Sequence, residues 1–353
     1  MNAWRRKYLS GKPWPRVERI RLPLASIEVQ FVDREQALKR MEEWAERGTR
    51  FPRVVFGPEG CGKTAWLKQS AVLLRELGFD VLYLNPIEKE VYAELGVEDV
   101  KRRIAEILRE ATDEAWARAV WAAVDLAKEL IKAGRKKIAV LADDVFQAIG
   151  LNKAAIYVKG LLGLIEYPPA SYEKIVAVVA TSEGVTRREI GRHDWADLLP
   201  MWNMPREGFK QLYDQLPGEK PPFEEAWRVT GGNPRILQEL YEAGWDVEEV
   251  LRRFVERKRL APSFVAKWRP WLEKIVEDPE VLWSAEAPEE LIDELEARNL
   301  IVYFLSERDS RFWAGEPPPE RDPELGIGKD VAWQTPLHRE AVRRALGEAG
   351  RIT

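Results

Sequence analysis

Gly57-Pro58-Glu59-Gly60-Cys61-Gly62-Lys63-Thr64 is the stretch that decides the fold. Gly57 and Gly62 bracket a short loop, and Lys63 and Thr64 follow the second glycine directly, the spacing of a phosphate-binding loop. The glycines let the backbone wrap tightly, so that successive amide N–H groups face phosphate oxygens. A helix opening at Lys63 adds the positive end of its dipole. Lys63 is expected to neutralise β- and γ-phosphate oxygens of a nucleoside triphosphate, and the Thr64 hydroxyl to bind Mg²⁺. Gly57, Pro58, Glu59, Gly60, Cys61, Gly62 and Ala65 complete the contacts expected here. The Cys61 thiol is expected to face the ligand, so that modifying it blocks binding. A plain glycine-rich turn is the alternative, but the flanks oppose it: Arg53-Val54-Val55-Phe56 reads as a buried strand, and a helix is expected from Lys63 to about Leu77.

Outward from the loop the chain alternates strands and helices. Asp33 is positioned to cap a helix running to about Arg47, with Ala37, Leu38, Met41 and Trp44 on one face. Further β-type runs lie at residues 81–84, 138–141 and 175–179, separated by helical stretches such as 115–131. This alternation predicts an α/β fold, a parallel sheet covered by helices on both faces. Ile138-Ala139-Val140-Leu141-Ala142-Asp143-Asp144 ends a strand in two carboxylates, at the end where parallel strands place ligands. Asp143 is expected to hold magnesium through water and Asp144 to polarise an attacking water; helix capping or turn formation is the alternative. Val176 to Ser182 is another strand ending in hydroxyls, and Ser182 either orients that water or senses the γ-phosphate, with helix or turn capping by Thr181 or Ser182 as the alternative. Arg187, Arg188 and Arg192 follow on the same rim. Arg188 is carried as the candidate arginine finger, acting in its own subunit or a neighbour's, with a solvated helix surface as the alternative for each.

At 353 residues the chain is too long for one compact core, and two or three domains are expected. Residues 1–30 form a basic arm with Trp4 and Trp14 among its charges, read either as a contact for nucleic acid or an acidic partner or as a segment packed on the body. Residues 31–204 hold the alternating core and 205–260 a cluster of short helices. Residues 261–353 combine helices with strands at 300–305 and 331–333, which suggests a winged-helix-like unit with a long wing. A formal charge of −4, with 55 Lys and Arg against 59 Asp and Glu, gives no global case for nucleic-acid binding. A single Cys excludes an internal disulfide, and 2 His leave little for a zinc site. No run is long and apolar enough for a membrane span, and no signal core follows the basic start, so a cytoplasmic protein without a membrane partner is expected. Abundant Glu, Arg and Lys resemble a heat-adapted composition.

Two more signatures join the loop and the acidic strand end. Phe31-Val32-Asp33-Arg34-Glu35 resembles the segment that opens P-loop ATPases of the STAND class, and Thr230-Gly231-Gly232-Asn233-Pro234-Arg235 resembles the turn in their helical lid. In order and spacing the four are similar to the archaeal ATPase family, within the AAA+/STAND superclass, over about residues 31–257. The resemblance implies an ASCE-type sheet with an extra strand between loop strand and acidic strand, a helical lid and a C-terminal winged helix. It implies ATP rather than GTP, with Val32 and Asp33 near the adenine, residues 231–234 shaping the lid, and Arg235 as sensor. Asp144 departs from the Glu usual in such ATPases; being one methylene shorter, it makes slow hydrolysis an expectation. The recognition-helix candidate, 288–298, carries five acids and one base, which DNA phosphates repel. Three functions follow: an Mg²⁺-dependent ATPase or ATP-controlled switch, a nucleic-acid-associated ATPase, or an ATP-binding scaffold with little turnover. Self-association or a protein partner accompanies ATP and ADP among the expected partners.

Overall fold

The computed structural model describes residues 17–94, 102, 106, 112–182 and 184–349. Most of the expected basic arm, residues 1–16, lies outside the described residues. Its described end leads into a hairpin: β1 (Arg21–Leu24) pairs antiparallel with β2 (Ile27–Gln30), a feature absent from the sequence reading.

The core then runs α1 (Glu35–Arg47), β3 (Arg53–Phe56), α2 (Lys63–Glu76), β4 (Asp80–Asn85), β5 (Glu90–Glu94), α3 (Asp113–Lys132), β6 (Lys137–Asp143), α4 (Val145–Ile149), α5 (Ala154–Glu166), β7 (Lys174–Thr181), α6 (Gly184–Gly191) and β8 (Asp197–Pro200). The sheet order is β5-β4-β6-β7-β3-β8, with every neighbour parallel except β5. β7 therefore lies between the loop strand β3 and the acidic strand β6, the arrangement the resemblance implies. Side chains alternate faces along a strand, and these strands are apolar at both parities. Ile138, Val140, Ala142, Ile175, Ala177 and Val179 pack into the cluster formed by α3, α4 and α5. Ala139, Leu141, Val176, Val178 and Ala180 pack into the cluster of α1 and α2. A sheet buried on both faces needs helices on both, which is why the pattern reads as α/β.

Asp33 does not cap α1. The residue at the cap is Arg34, at φ 66°, and no side chain closes that helix end. Asp33 is itself left-handed, at φ 60°, and the two successive left-handed residues swing its carboxyl away to the next layer.

That layer comprises α7 (Arg206–Asp214), α8 (Phe223–Thr230), α9 (Pro234–Glu242) and α10 (Val247–Arg257), followed by α11 (Pro262–Ile275), α12 (Glu289–Ala297), β9 (Ile301–Tyr303), β10 (Val331–Trp333) and α13 (Pro336–Ala349). Phe209, Leu212 and Tyr213 of α7 pack with Leu24 and Val29 of the N-terminal hairpin. A second apolar cluster runs from Ile236 to Ala349, so α9 and α10 share one core with α11, α12 and α13 across the boundary expected at 260–261. No helix among the described residues is long and apolar enough to cross a membrane.

Candidate functional site

The phosphate loop leaves β3 at the carboxyl end of the sheet, with β6 and β7 ending beside it. Gly62, at φ 99°, turns the chain into α2. Lys63 is 4 % exposed, and its ammonium donates to the carbonyls of Gly57 (3.0 Å) and Pro58 (2.9 Å), which holds the charge inside the loop. Gly60 lies at φ 75°, and a Cβ there would stand 2.1 Å from Cβ of Arg235. Only glycine lets the lid helix α9 come this close. The Arg235 amide N–H reaches the Gly60 carbonyl at 3.3 Å. Asn233 caps α9 through its side-chain oxygen, which accepts from the amides of Arg235 (3.0 Å) and Ile236 (3.2 Å).

Asp143 is 1 % exposed at the end of β6. Its Oδ2 accepts from Tyr83 Oη (3.1 Å) and Asn85 Nδ2 (3.0 Å), while Oδ1 is buried with no hydrogen-bond partner among the described residues. Burial raises the carboxyl above its ordinary range, the charge of Asp144 adds to this, and Thr64, Tyr83 and Lys63 oppose it. Asp144 follows at φ 46°, its amide donating to the Ala180 carbonyl of β7 at 3.0 Å. Its carboxyl is also raised by burial, against Lys63 and the Ser182 amide, and Oδ1 has no partner among the described residues. Hydroxyl, orphaned carboxylate oxygens and a captive ammonium on one rim are the donor set that a magnesium-bound triphosphate needs. Among the described residues no three His, Cys, Asp or Glu side chains cluster to hold a metal by themselves.

Lys63, Thr64 and Asp144 open onto a cavity of about 850 Å³. Val32, the loop from Glu59 to Ala65, Asp144, Ser182, Pro234 and Arg235 all line it. The other expected residues stand elsewhere. Gly57, Pro58 and Asp143 are not among the cavity's lining residues. Asp33 turns to Gly208, where a Cβ would come within 2.3 Å of its carboxyl group, in the first turn of α7. The helix dipole favours a carboxylate there, while burial raises the group.

One expectation is corrected. The Cys61 thiol does not face the ligand: it is fully buried, with Sγ 3.7 Å from the Met201 carbonyl, because the loop turns this side chain into the core behind it. Arg188 does not line the cavity of its own chain. It pairs with Asp293 and, at 3.6 Å, with Glu296 of α12, because its helix α6 faces that element. Arg187 likewise lies over the Phe56 ring at 5.1 Å and donates to the Phe304 carbonyl at 3.3 Å.

Three contributors escaped the sequence reading. Arg34, 5 % exposed, donates through Nη2 to the Cys61 carbonyl and ties the opening segment to the loop. Leu22, Leu24 and Val29 of the hairpin form an apolar wall of the cavity with Met204 and Leu212. Gln147 of α4 reaches the same rim as Asp144. Of these, only Arg34 carried a signal, as part of the opening segment.

Among curated proteins, none matches the sequence significantly. Among solved structures, DnaA from Aquifex aeolicus bound to AMPPCP is similar at 17 % identity and a TM-score of 0.37, over 76 % of this chain and 85 % of that one. The Aeropyrum pernix ORC2 protein, in its ADPNP–ADP complexes, is similar at 13 % identity and 0.40, over 90 % and 94 %. The Aeropyrum pernix ORC1 protein in complex with DNA is similar at 15 % identity and 0.34, over 92 % and 95 %. A family model describing an ATPase domain predominantly from Archaea matches residues 31–240. More than half of the chain lies inside that match, and the protein therefore belongs to the family of ATPase domains found predominantly in Archaea.

Proposed function

We propose that the protein is an Mg²⁺-dependent ATPase in which the bound nucleotide sets how firmly the helical layer from residue 205 onward closes on the core. The observation that carries this reading is the direct seat of α9 on the phosphate loop, through the Gly60 carbonyl and the Arg235 amide. Magnesium-bound ATP supplies the phosphoanhydride to be cleaved and the cation that neutralises its β- and γ-oxygens. Lys63 moves its ammonium from the loop carbonyls onto the phosphates, and loop amides with the N-terminus of α2 hold the remaining charge. Thr64 and Asp143 orient the cation's shell. Asp144 accepts a hydrogen bond from the attacking water, and Ser182 fixes that water's position from the neighbouring strand. Asp144 is short, and slow turnover is the expectation.

The DNA-reading alternative is weaker. Arg188 engages Asp293 and Glu296 of the acidic helix α12, which supports a role for that helix as a docking element of this chain.

Steady-state and single-turnover hydrolysis with Mg²⁺, at raised temperature, tests the reading. Wild type is expected to turn over slowly, with Asp144→Asn retaining ATP but losing about tenfold or more in rate. Wild-type turnover no faster than that of Asp144→Asn would reduce the protein to a nucleotide-binding scaffold. For the closure, a slowly hydrolysed ATP analogue is expected to protect residues 205–260 from protease. Equal digestion with and without it removes the switch.

A further inference from the structure

The segment that enters α13 lies outside the family match, yet it touches the phosphate loop. Gln334 is 3 % exposed at the end of β10, and its Oε1 accepts the amide N–H of Glu59 at 2.9 Å. The Glu59 carbonyl accepts from Asn233 Nδ2 at 2.9 Å, and the same nitrogen donates to Asn203 Oδ1 at 2.8 Å. Asn203 Nδ2 then donates to the Gln334 carbonyl at 2.8 Å. The four residues close a ring, and Asn203 and Asn233 are buried, 4 % and 0 % exposed. One member comes from the phosphate loop, one from the exit of β8, one from the lid turn and one from the C-terminal region.

Neighbouring contacts tighten the same junction. Lys258, at the end of α10, reaches the Glu59 carboxylate at 3.1 Å. Burial opposes the charge of Glu59, but Lys258, together with Arg235 and Arg257, holds the carboxyl below its usual range. Gly231 is pressed against Pro336, which a Cβ would approach to 2.6 Å. The Gln334 amide donates to the Leu300 carbonyl at 2.9 Å, fastening the residue to its own unit.

We propose that Gln334 is a positioning residue for the phosphate loop: the C-terminal region sets the loop's conformation through the Glu59 amide and so completes the nucleotide site from outside the ATPase core. The inference rests on the reading of this loop as the ATP site. An amide N–H in a partly buried ring does not lose its acceptor without penalty, so a loop whose Glu59 is unheld spends less time in the conformation that presents its other amides. By reciprocity, nucleotide that fixes the loop also fixes Gln334.

Hydrogen exchange, read on peptides covering Glu59 and Gln334, tests this with and without ATP. In wild type, ATP is expected to slow exchange around Gln334 as well as in the loop. In Gln334→Met, which keeps length but removes the acceptor, the Glu59 peptide is expected to exchange faster without nucleotide, and ATP affinity to fall about tenfold. Gln334→Glu keeps an acceptor oxygen and is expected to restore slow exchange at Glu59. A loop that exchanges equally in wild type and Gln334→Met, or ATP that protects the loop but leaves Gln334 unchanged, overturns the proposal. The nucleotide-free comparison separates the two claims, because a chain that binds no ATP can still show the Gln334–Glu59 dependence.

Discussion

Gly60 shows how much one missing side chain decides. The loop and the lid helix touch at this position, and an added methyl group would need both a left-handed backbone and the displacement of Arg235. Gly60→Ala is expected to cost about 1–2 kcal/mol in backbone strain alone and to weaken ATP binding, measured by fluorescent-nucleotide titration. Unchanged affinity would mean that the lid contact is incidental to the site. His338 offers a second prediction at this scale. It is buried, with Nδ1 2.8 Å from Thr335 Oγ1, the Phe254 ring at 4.6 Å, and Lys258 and Arg257 nearby. Burial first, then these cations, push it well below its ordinary 6.5, so the native state refuses a proton that the unfolded chain accepts. Stability therefore falls as pH drops below about 6.5, by at most about 1.4 kcal/mol per pH unit from this group. Urea unfolding at pH 7.5 and 5.5 is expected to show a smaller difference for His338→Gln than for wild type. The phosphate loop was legible because its chemistry sits in eight consecutive residues, Gly57 to Thr64. The direction of the Cys61 thiol was not, because the loop's torsions decide which side chains turn inward.

Strands with apolar residues at both parities announce helices on both faces, and so the central elements could be read from pattern alone. β8 and β5 could not. β8 is Asp197–Pro200, too short and mixed to stand out, and β5, Glu90–Glu94, carries charge at both ends. The hairpin β1–β2 was equally hidden, since only its packing against α7 makes Leu24 and Val29 a wall of the cavity. Two elements acquire their meaning only from contact: α6 and α12. Arg188 is exposed enough for each of its pairs to contribute less than about 1 kcal/mol, whereas Arg187 is half-buried, over the Phe56 ring and on the Phe304 carbonyl. The double variant Arg187→Ala/Arg188→Ala is expected to raise protease cleavage around residues 289–305 and lower the melting temperature by a few degrees. An unchanged cleavage pattern would show that apolar packing alone holds α12.

At the scale of the molecule, the helical layer belongs to two cores at once. α7 joins the N-terminal hairpin, whereas α9 and α10 join the C-terminal helices around Leu272, Leu295 and Val342. Truncation after residue 260 therefore strips the cover from Ile236, Leu240, Val250 and Phe254. Such a fragment is expected to aggregate or to lose the cooperative unfolding of the full chain, followed by circular dichroism. A soluble fragment with undiminished helicity in α9 and α10 would contradict the shared core. Composition could suggest several domains, but it could not show that the unit after residue 260 shares its core with the lid, because that depends on which apolar faces meet. The central claim, that the loop and its surroundings form a site for magnesium-bound ATP, is tested most directly by calorimetric titration of ATP with Mg²⁺ into wild type and Lys63→Ala. One site per chain in wild type, weakened about tenfold or more in Lys63→Ala, is expected. No binding in wild type, or equal binding in the two, would contradict it.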